Sequence, residues 1–249
     1  MEIVKNTIIK IKEGYTIIEY DKSNIYIIEN ILEHDFCDKV INIINTVPLY
    51  KTHIEQTYNV ECFTSSIYEL LATYEDYYDL SNISNNDYLS NNNTIHTINS
   101  LNGITKTDLE KLDNYLSEKI KIIRRIMSEI NSEICFDYNT GYNLRKIYGE
   151  TRTHIDSIIT IMKSDATFID KTCIIENCNM IRNSTMIFAL NDDYNGGVFN
   201  FPYHNIYLKL KKGSVIIFPP YWTHPHQVSS VENNTYRYTI NTWTLELLK

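Results

Sequence analysis

The sequence predicts an α+β fold in which a double-stranded β-helix, or jelly roll, forms a core flanked by helices. Two observations predict it. After Cys135 the chain breaks into short β-like runs: 142–148, 185–191, 198–201, 206–210, 214–218 and 236–247. Turn signals at Asn191-Asp192-Asp193, Asn195-Gly196-Gly197 and Lys211-Lys212-Gly213 separate them, and many short strands with evenly spaced turns suit a sandwich or barrel. Before this stretch, Leu109, Leu112, Leu116, Ile120, Ile123, Met127 and Ile130 recur at helical spacing and form one apolar stripe.

Each element follows from its own pattern. Apolar and polar residues alternate from Thr7 to Tyr20 around Glu13-Gly14, which predicts a β-hairpin. Residues 24–30 predict a strand. A helix is expected over 34–47, where Phe36, Val40, Ile44 and Val47 share a face and Pro48 ends it. From Lys51 to Ser100 the pattern is weak, and Ser81 to Asn93, rich in Ser and Asn, reads as a loop. The long helix is expected over 108–130, with Thr107 and Glu110 as its capping box. The division is an N-terminal layer, residues 1–106, packing on a core of residues 107–249, the two forming one integrated domain.

Composition narrows the function. With 43% hydrophobic residues in 249, the chain is too apolar for a disordered one and long enough to bury a substantial core. Its net charge of -8 disfavours a general nucleic-acid binder, because polyanions are held by clustered Lys and Arg. No run of about 18 apolar residues is present, so no membrane span is expected. Five cysteines, Cys37, Cys62, Cys135, Cys173 and Cys178, form an odd set. With no signal-peptide pattern, they point to reduced thiols and a cytoplasmic location. Cys173 and Cys178 lack the tight paired spacing and four-ligand set of a zinc site.

The chemistry centres on His154-Ile155-Asp156. On a strand, residues two apart face the same way, so both side chains can meet one ion. Imidazole plus carboxylate suits non-haem Fe(II), and a histidine from a distant strand would complete a facial triad. Alone the triplet is a weak signal and reads more readily as an exposed polar pair. Downstream, Phe218 to Val228 contains His224 and His226, both able to serve, and Arg237 and Thr239 follow on one strand face. A guanidinium grips a carboxylate through two parallel hydrogen bonds and a neighbouring hydroxyl can add a third, so Arg237 suits the far end of an acidic cosubstrate. His34, His53, His96 and His204 read as structural or surface residues, and Trp222 and Trp243 as core.

Four segments in order carry a family resemblance: residues 148–156, residues 182–191 leading into Gly196 to Pro202, Lys212 to Pro219, and His226 through Arg237-Tyr238 to Trp243. Together with residues 24–45 they resemble the prolyl 4-hydroxylase branch of the Fe(II)- and 2-oxoglutarate-dependent oxygenases. The resemblance implies iron at His154, Asp156 and His226 rather than His224. It implies 2-oxoglutarate on Arg237, where many relatives use Lys, with Tyr148 or its rival Tyr142 as a further contact. O2 and, in some relatives, ascorbate complete the cofactor set. It also implies a polypeptide substrate with proline as the favoured target. One residue more than usual separates His226 from Arg237, so a bulge or longer turn is expected. The Asn- and Ile-rich style is similar to viral members of the family, which would make the location the host cytoplasm. Other readings are hydroxylation of another residue or a small molecule, nucleic-acid dealkylation, and a non-enzymatic β-sandwich. Dealkylases carry a second Arg about six residues after the first; Trp243 stands there.

Overall fold

The computed structural model describes residues 7–20, 22–47, 50–51, 60–67, 70–71, 103–134, 136, 138–156, 162–164 and 178–247. Its first element is the expected hairpin, β1 (Thr7–Lys12) against β2 (Tyr15–Tyr20). Glu13 and Gly14 both take positive φ, 50° and 84°, the two-residue turn whose twist matches its strands. Then come β3 (Ile25–Ile28), α1 (His34–Ile44), β4 (Tyr50–Lys51), β5 (Val60–Ser66) and the long helix α2 (Lys106–Ser128). The second half contributes β6 (Tyr138–Asn139), β7 (Asn143–His154), β8 (Met162–Ser164), β9 (Cys178–Ala189), β10 (Asn195–Gly196), β11 (Phe199–Phe201), β12 (Ile206–Leu208), β13 (Val215–Phe218), β14 (His226–Glu232) and β15 (Arg237–Leu247).

The strands join antiparallel in the order β1-β2-β3-β13-β9-β15-β7-β14-β11-β12, with β5 adding to β7. The fold is an α+β double-stranded β-helix. The N-terminal hairpin and β3 continue the same sheet as β13, so residues before 106 share hydrogen bonding with the core.

Strand alternation sorts side chains into two compartments. On one face Tyr26 and Ile28, Met186, Phe188 and Leu190, Val215 and Ile217, Leu144 and Ile240 meet the helices. There they join Val40 and Ile44 of α1 and Leu109, Leu112, Leu116, Ile120, Ile123 and Met127 of α2. The opposite parity, Ile25 and Ile27, Ile187 and Ala189, Ile216 and Phe218, closes over Phe199, Phe201, Ile206, Leu208 and Val228 inside the roll. The central strands therefore read as near-continuous apolar runs: Val215 to Phe218 are all fully buried.

Several expectations are corrected. The capping box of α2 is Thr105 with Asp108, not Thr107 with Glu110. Thr105 Oγ1 accepts from the Asp108 amide, and Asp108 Oδ2 accepts from the Thr105 amide at 2.9 Å. Both frames put a Thr three residues before an acid, and the sequence distinguishes them only by where the first turn begins. Helix α1 ends at Ile44, three residues before Val47. The weakly patterned stretch contains β5, whose Glu61, Thr64, Ser65 and Ser66 give it no apolar alternation. Its register is set instead by pairing with β7 from Val60↔Gly149 to Ser66↔Asn143. The expected loop over 81–93 lies outside the described residues. Trp222 is 74% exposed and is not core, whereas Trp243 is 7% exposed.

Among the described residues no helix is long and apolar enough to cross a membrane. Cys37 and Cys62 are buried, and burial pushes the Cys37 thiol up to about 11. Cys178 opens β9; Cys135 and Cys173 lie outside the described residues.

Candidate metal and cosubstrate site

Two antiparallel strands bring the distant histidines together. His226 opens β14 directly opposite His154, the last residue of β7, and their rings lie 4.4 Å apart. Asp156 lies just past the strand and not on it, contrary to expectation, because β7 ends at His154. Arg182 Nη1 donates to the Asp156 carbonyl at 2.6 Å and Thr185 Oγ1 donates to Asp156 Oδ2 at 2.8 Å, and both bonds hold Asp156 against β9.

One ligand atom from each of His154, Asp156 and His226 lies within 4.8 Å of the others. His154 Nε2 is 3.6 Å from Asp156 Oδ1, and His226 Nε2 is 3.9 Å from Asp156 Oδ2. Metal bonds of about 2.1 Å at right angles space ligand atoms by about 3.0 Å, so a small contraction would close the triad on an ion. The other ring nitrogens are already engaged. His154 Nδ1 faces the Arg152 carbonyl at 2.8 Å and His226 Nδ1 the His224 carbonyl at 3.2 Å. Such outer bonds orient a ligating imidazole and aim its free nitrogen.

The electrostatics suit a cation. Burial opposes ionisation of Asp156, but its contact with His154, the neighbouring His226 and the Thr185 hydroxyl outweigh that and hold it well below the usual carboxylate range. Burial pushes His226 down to about 4, helped by the charge of His154, so it stays neutral and able to donate a lone pair. Phe201 and Phe218 pack on its ring at 5.5 and 4.8 Å. His224 differs: its Nε2 meets the Ser23 carbonyl, its Nδ1 lies 2.8 Å from Thr223 Oγ1, and its ring stacks on His204 at 4.4 Å. Both nitrogens are engaged by protein.

Cross-strand register places the other residues. Arg237 is opposite Ile147 and Thr239 opposite Arg145, so Arg237, Thr239, Asn241 and Trp243 share the inner face of β15. Arg237 is 5% exposed, and its Nε and Nη1 are buried with no hydrogen-bond partner. Its guanidinium lies 5.1 Å from the Phe199 ring and close enough to Tyr194 and His226 to influence both. Thr239 is buried and donates to Asn241 Oδ1 at 2.7 Å. A buried guanidinium without a partner is costly. A carboxylate arriving inside the roll would satisfy it, and a dicarboxylate such as 2-oxoglutarate fits that demand.

Tyr148 does not. It has the parity of Leu144 and Lys146, on the helix-covered face, and its ring lies 5.8 Å from Tyr236. Lys146 on the same face bonds Asn45. Tyr142 is buried in the helix-side core, where burial pushes its phenol up. Both tyrosines are thus on the side of β7 away from Arg237. The parity of a strand is legible in a sequence; which parity faces inward is not. The same ambiguity hid Arg145, Arg182, Thr185 and Tyr194, whose only signal was their place in or beside predicted strands.

Of the two register shifts in the β14–β7 pairing, the one between Val228 and Val231 inserts an extra residue in β14, within the stretch from His226 to Arg237 where an irregularity is expected. Gly196 and Gly197, at φ 71° and 66°, close the nearby turn. A Cβ on Gly196 would lie 1.8 Å from the Ser230 carbonyl oxygen, and one on Gly197 would lie 2.3 Å from the Tyr194 ring.

Comparison with known families decides the class. Residues 143–245 match the model of the 2OG-Fe(II) oxygenase superfamily. This segment is a 2OG-Fe(II) oxygenase domain. A segment of this kind is what a 2-oxoglutarate-dependent dioxygenase carries, a class that works with Fe(II), 2-oxoglutarate and O2. The domain holds the triad, Arg237 and Thr239, while β1 to α2 lie before it. No curated protein matches the chain by sequence. Among solved structures, a prolyl hydroxylase from Trichoplax adhaerens, in complex with a hypoxia inducible factor peptide fragment, shares the fold at TM-score 0.52 and 14% identity. That alignment covers 90% of this chain and 84% of the other. The viral collagen prolyl hydroxylase of Paramecium Bursaria Chlorella virus-1 aligns at TM-score 0.49 and 14% identity, over 90% of this chain and 97% of its own.

Proposed function

We propose that the oxygenase hydroxylates a polypeptide side chain, with proline the favoured target, using Fe(II) held by His154, Asp156 and His226. In this reading Arg237 holds the distal carboxylate of 2-oxoglutarate, with the Thr239 hydroxyl beside it. The single observation that carries it is the triad within 4.8 Å on the inner side of a roll that also buries an unpartnered Arg237. Bound iron supplies activation of O2 for oxidation of a C–H bond. This chain's residues supply the rest. Neutral His226 and ionised Asp156 offer lone pairs, Thr185 and Arg182 hold Asp156 in place, and Phe201 and Phe218 keep water from the His226 ring.

Proline is favoured by the resemblance of residues 148–156, 182–202, 212–219 and 226–243 to prolyl 4-hydroxylases, and by solved neighbours that bear that name. Trp243 in place of a second dealkylase-type Arg and the net charge of -8 speak against a nucleic-acid substrate. We place the reaction in the cytoplasm and the whole chain in one integrated unit.

The test is to offer Pro-containing peptides, Lys- or Asn-containing peptides and methylated oligonucleotides side by side, with Fe(II), 2-oxoglutarate and ascorbate. Mass spectrometry should find one added oxygen on proline, dependent on 2-oxoglutarate. Oxidation of Lys or Asn alone would replace the target, and demethylation without peptide oxidation would overturn the substrate class.

A further inference from the structure

Arg145 stands in the same compartment with no role in the chemistry above. Its cross-strand partners are Thr239 on one side and Thr64 on the other, so it sits in the row that leads to Arg237. Its Nε is buried with no hydrogen-bond partner, and no carboxylate among the described residues pairs with it. Its guanidinium lies 5.7 Å from the Trp243 ring, and that of Arg182 lies 4.0 Å from the same ring. The two like charges are therefore within about 10 Å, roughly one Debye length at moderate salt. The charge of Arg145 reaches His154, Arg182 and Arg237. Guanidinium does not lose its proton in proteins, so this repulsion cannot be relieved by neutralisation.

The charges of the assembled site do not cancel. Three guanidiniums and a divalent metal face one described carboxylate, Asp156, and a dicarboxylate cosubstrate. Arg237 is matched by the cosubstrate, and Arg182 is engaged at the Asp156 carbonyl through Nη1. Arg145 keeps a planar fork of donors beside an indole whose own Nε1 is buried and unpartnered. A fork of this kind matches a carboxylate through two parallel bonds.

Resting on the iron and 2-oxoglutarate reading, we propose that Arg145 is a specificity-determining residue that holds a carboxylate of the primary substrate beside the bond to be oxidised. That carboxylate has two sources, an acidic side chain flanking the target in a peptide or the α-carboxylate of a free amino acid. The peptide source is the one that agrees with a polypeptide substrate.

The experiment measures equilibrium binding to the full chain without oxygen, with Mn(II) replacing Fe(II) and 2-oxoglutarate present. The probes are labelled proline peptides with Glu, Gln or Lys next to the proline, and free proline as competitor. The Glu peptide should bind about tenfold more tightly than the Gln peptide, as one charge-assisted bidentate contact provides. Arg145→Met should erase that preference while 2-oxoglutarate affinity, read by calorimetry, stays within about threefold. Arg145→Glu should reverse it in favour of the Lys peptide, a gain that a merely unfolded variant cannot show. Competition by free proline that needs Arg145, without peptide binding, would support the carboxylate contact and assign it to the amino acid. Equal binding of Glu and Gln peptides, or loss of 2-oxoglutarate rather than peptide in Arg145→Met, overturns the proposal. Failure of the parent protein to bind Mn(II) and 2-oxoglutarate at all overturns the underlying reading instead.

Discussion

Single residues carry different consequences according to which of their atoms the protein already uses. His226 spends Nδ1 on the His224 carbonyl and keeps Nε2 toward Asp156, whereas His224 has both nitrogens engaged. His226→Ala should therefore abolish iron binding and turnover, while His224→Ala should retain iron, measured by metal content after desalting. Iron retained in the first variant and lost in the second would reverse the assignment. Arg237 is the sharper case, because it is buried and two of its nitrogens lack partners. Arg237→Ala should raise the KM for 2-oxoglutarate by roughly ten- to a hundredfold, equivalent to about 1.4–3 kcal/mol of lost charge-assisted bonding. Iron affinity should change little, and an unchanged KM would remove Arg237 from the cosubstrate site.

Helix termini test the element scale. Thr105 and Asp108 satisfy each other's backbone amides at the start of α2, which packs Leu109, Leu112 and Leu116 onto the sheet. Thr105→Ala should cost about 1 kcal/mol in urea unfolding, the usual loss for an N-cap. Thr107→Ala, two residues further in, should cost a few tenths of a kcal/mol at most. Equal losses would show that the helix begins elsewhere. Strand β5 shows the opposite dependence, since its residues carry no apolar alternation and its place is set by seven consecutive pairings with β7.

Protonation couples these parts across the whole molecule. Burial holds His224 and His226 down to about 4, against about 6.5 in an unfolded chain. Between those values the unfolded chain takes up protons that the native protein refuses, so stability rises with pH. This contribution is complete above about 6.5 and is lost as pH falls toward about 4, at up to about 1.4 kcal/mol per unit for each histidine. His154 works with the opposite sign. Burial opposes its charge, but Asp156 raises its pKa overall, so its contribution is present at low pH and lost as pH rises through its folded value. Metal-free protein should thus show a lower urea midpoint at roughly pH 5 than at roughly pH 7. Equal midpoints would contradict the burial of the pair. Added metal should raise the midpoint at neutral pH, because an ion bound only by the native state stabilises it.

Features that need only local chemistry can be read from the residues alone. Alternation from Thr7 to Tyr20, the stripe from Leu109 to Met127 and the turn residues after Asn191 specified hairpin, helix and strands, because pattern and turn propensity act over a few residues. His154, Asp156, His226 and Arg237 were legible as candidates because their residue types and order have few other uses. Tertiary structure decided what depends on direction and distance. It chose which parity of β7 faces inward, placing Arg145 and Ile147 toward Arg237 and Tyr148 toward the helices. It fixed Asp156, two residues past the end of β7, beside the two histidines through Arg182 and Thr185. It also gathered Arg145, Arg182 and Arg237, spread over 93 residues of chain, around the cluster of His154, Asp156 and His226. No local pattern encodes such a grouping, because the closure of the roll alone sets those separations.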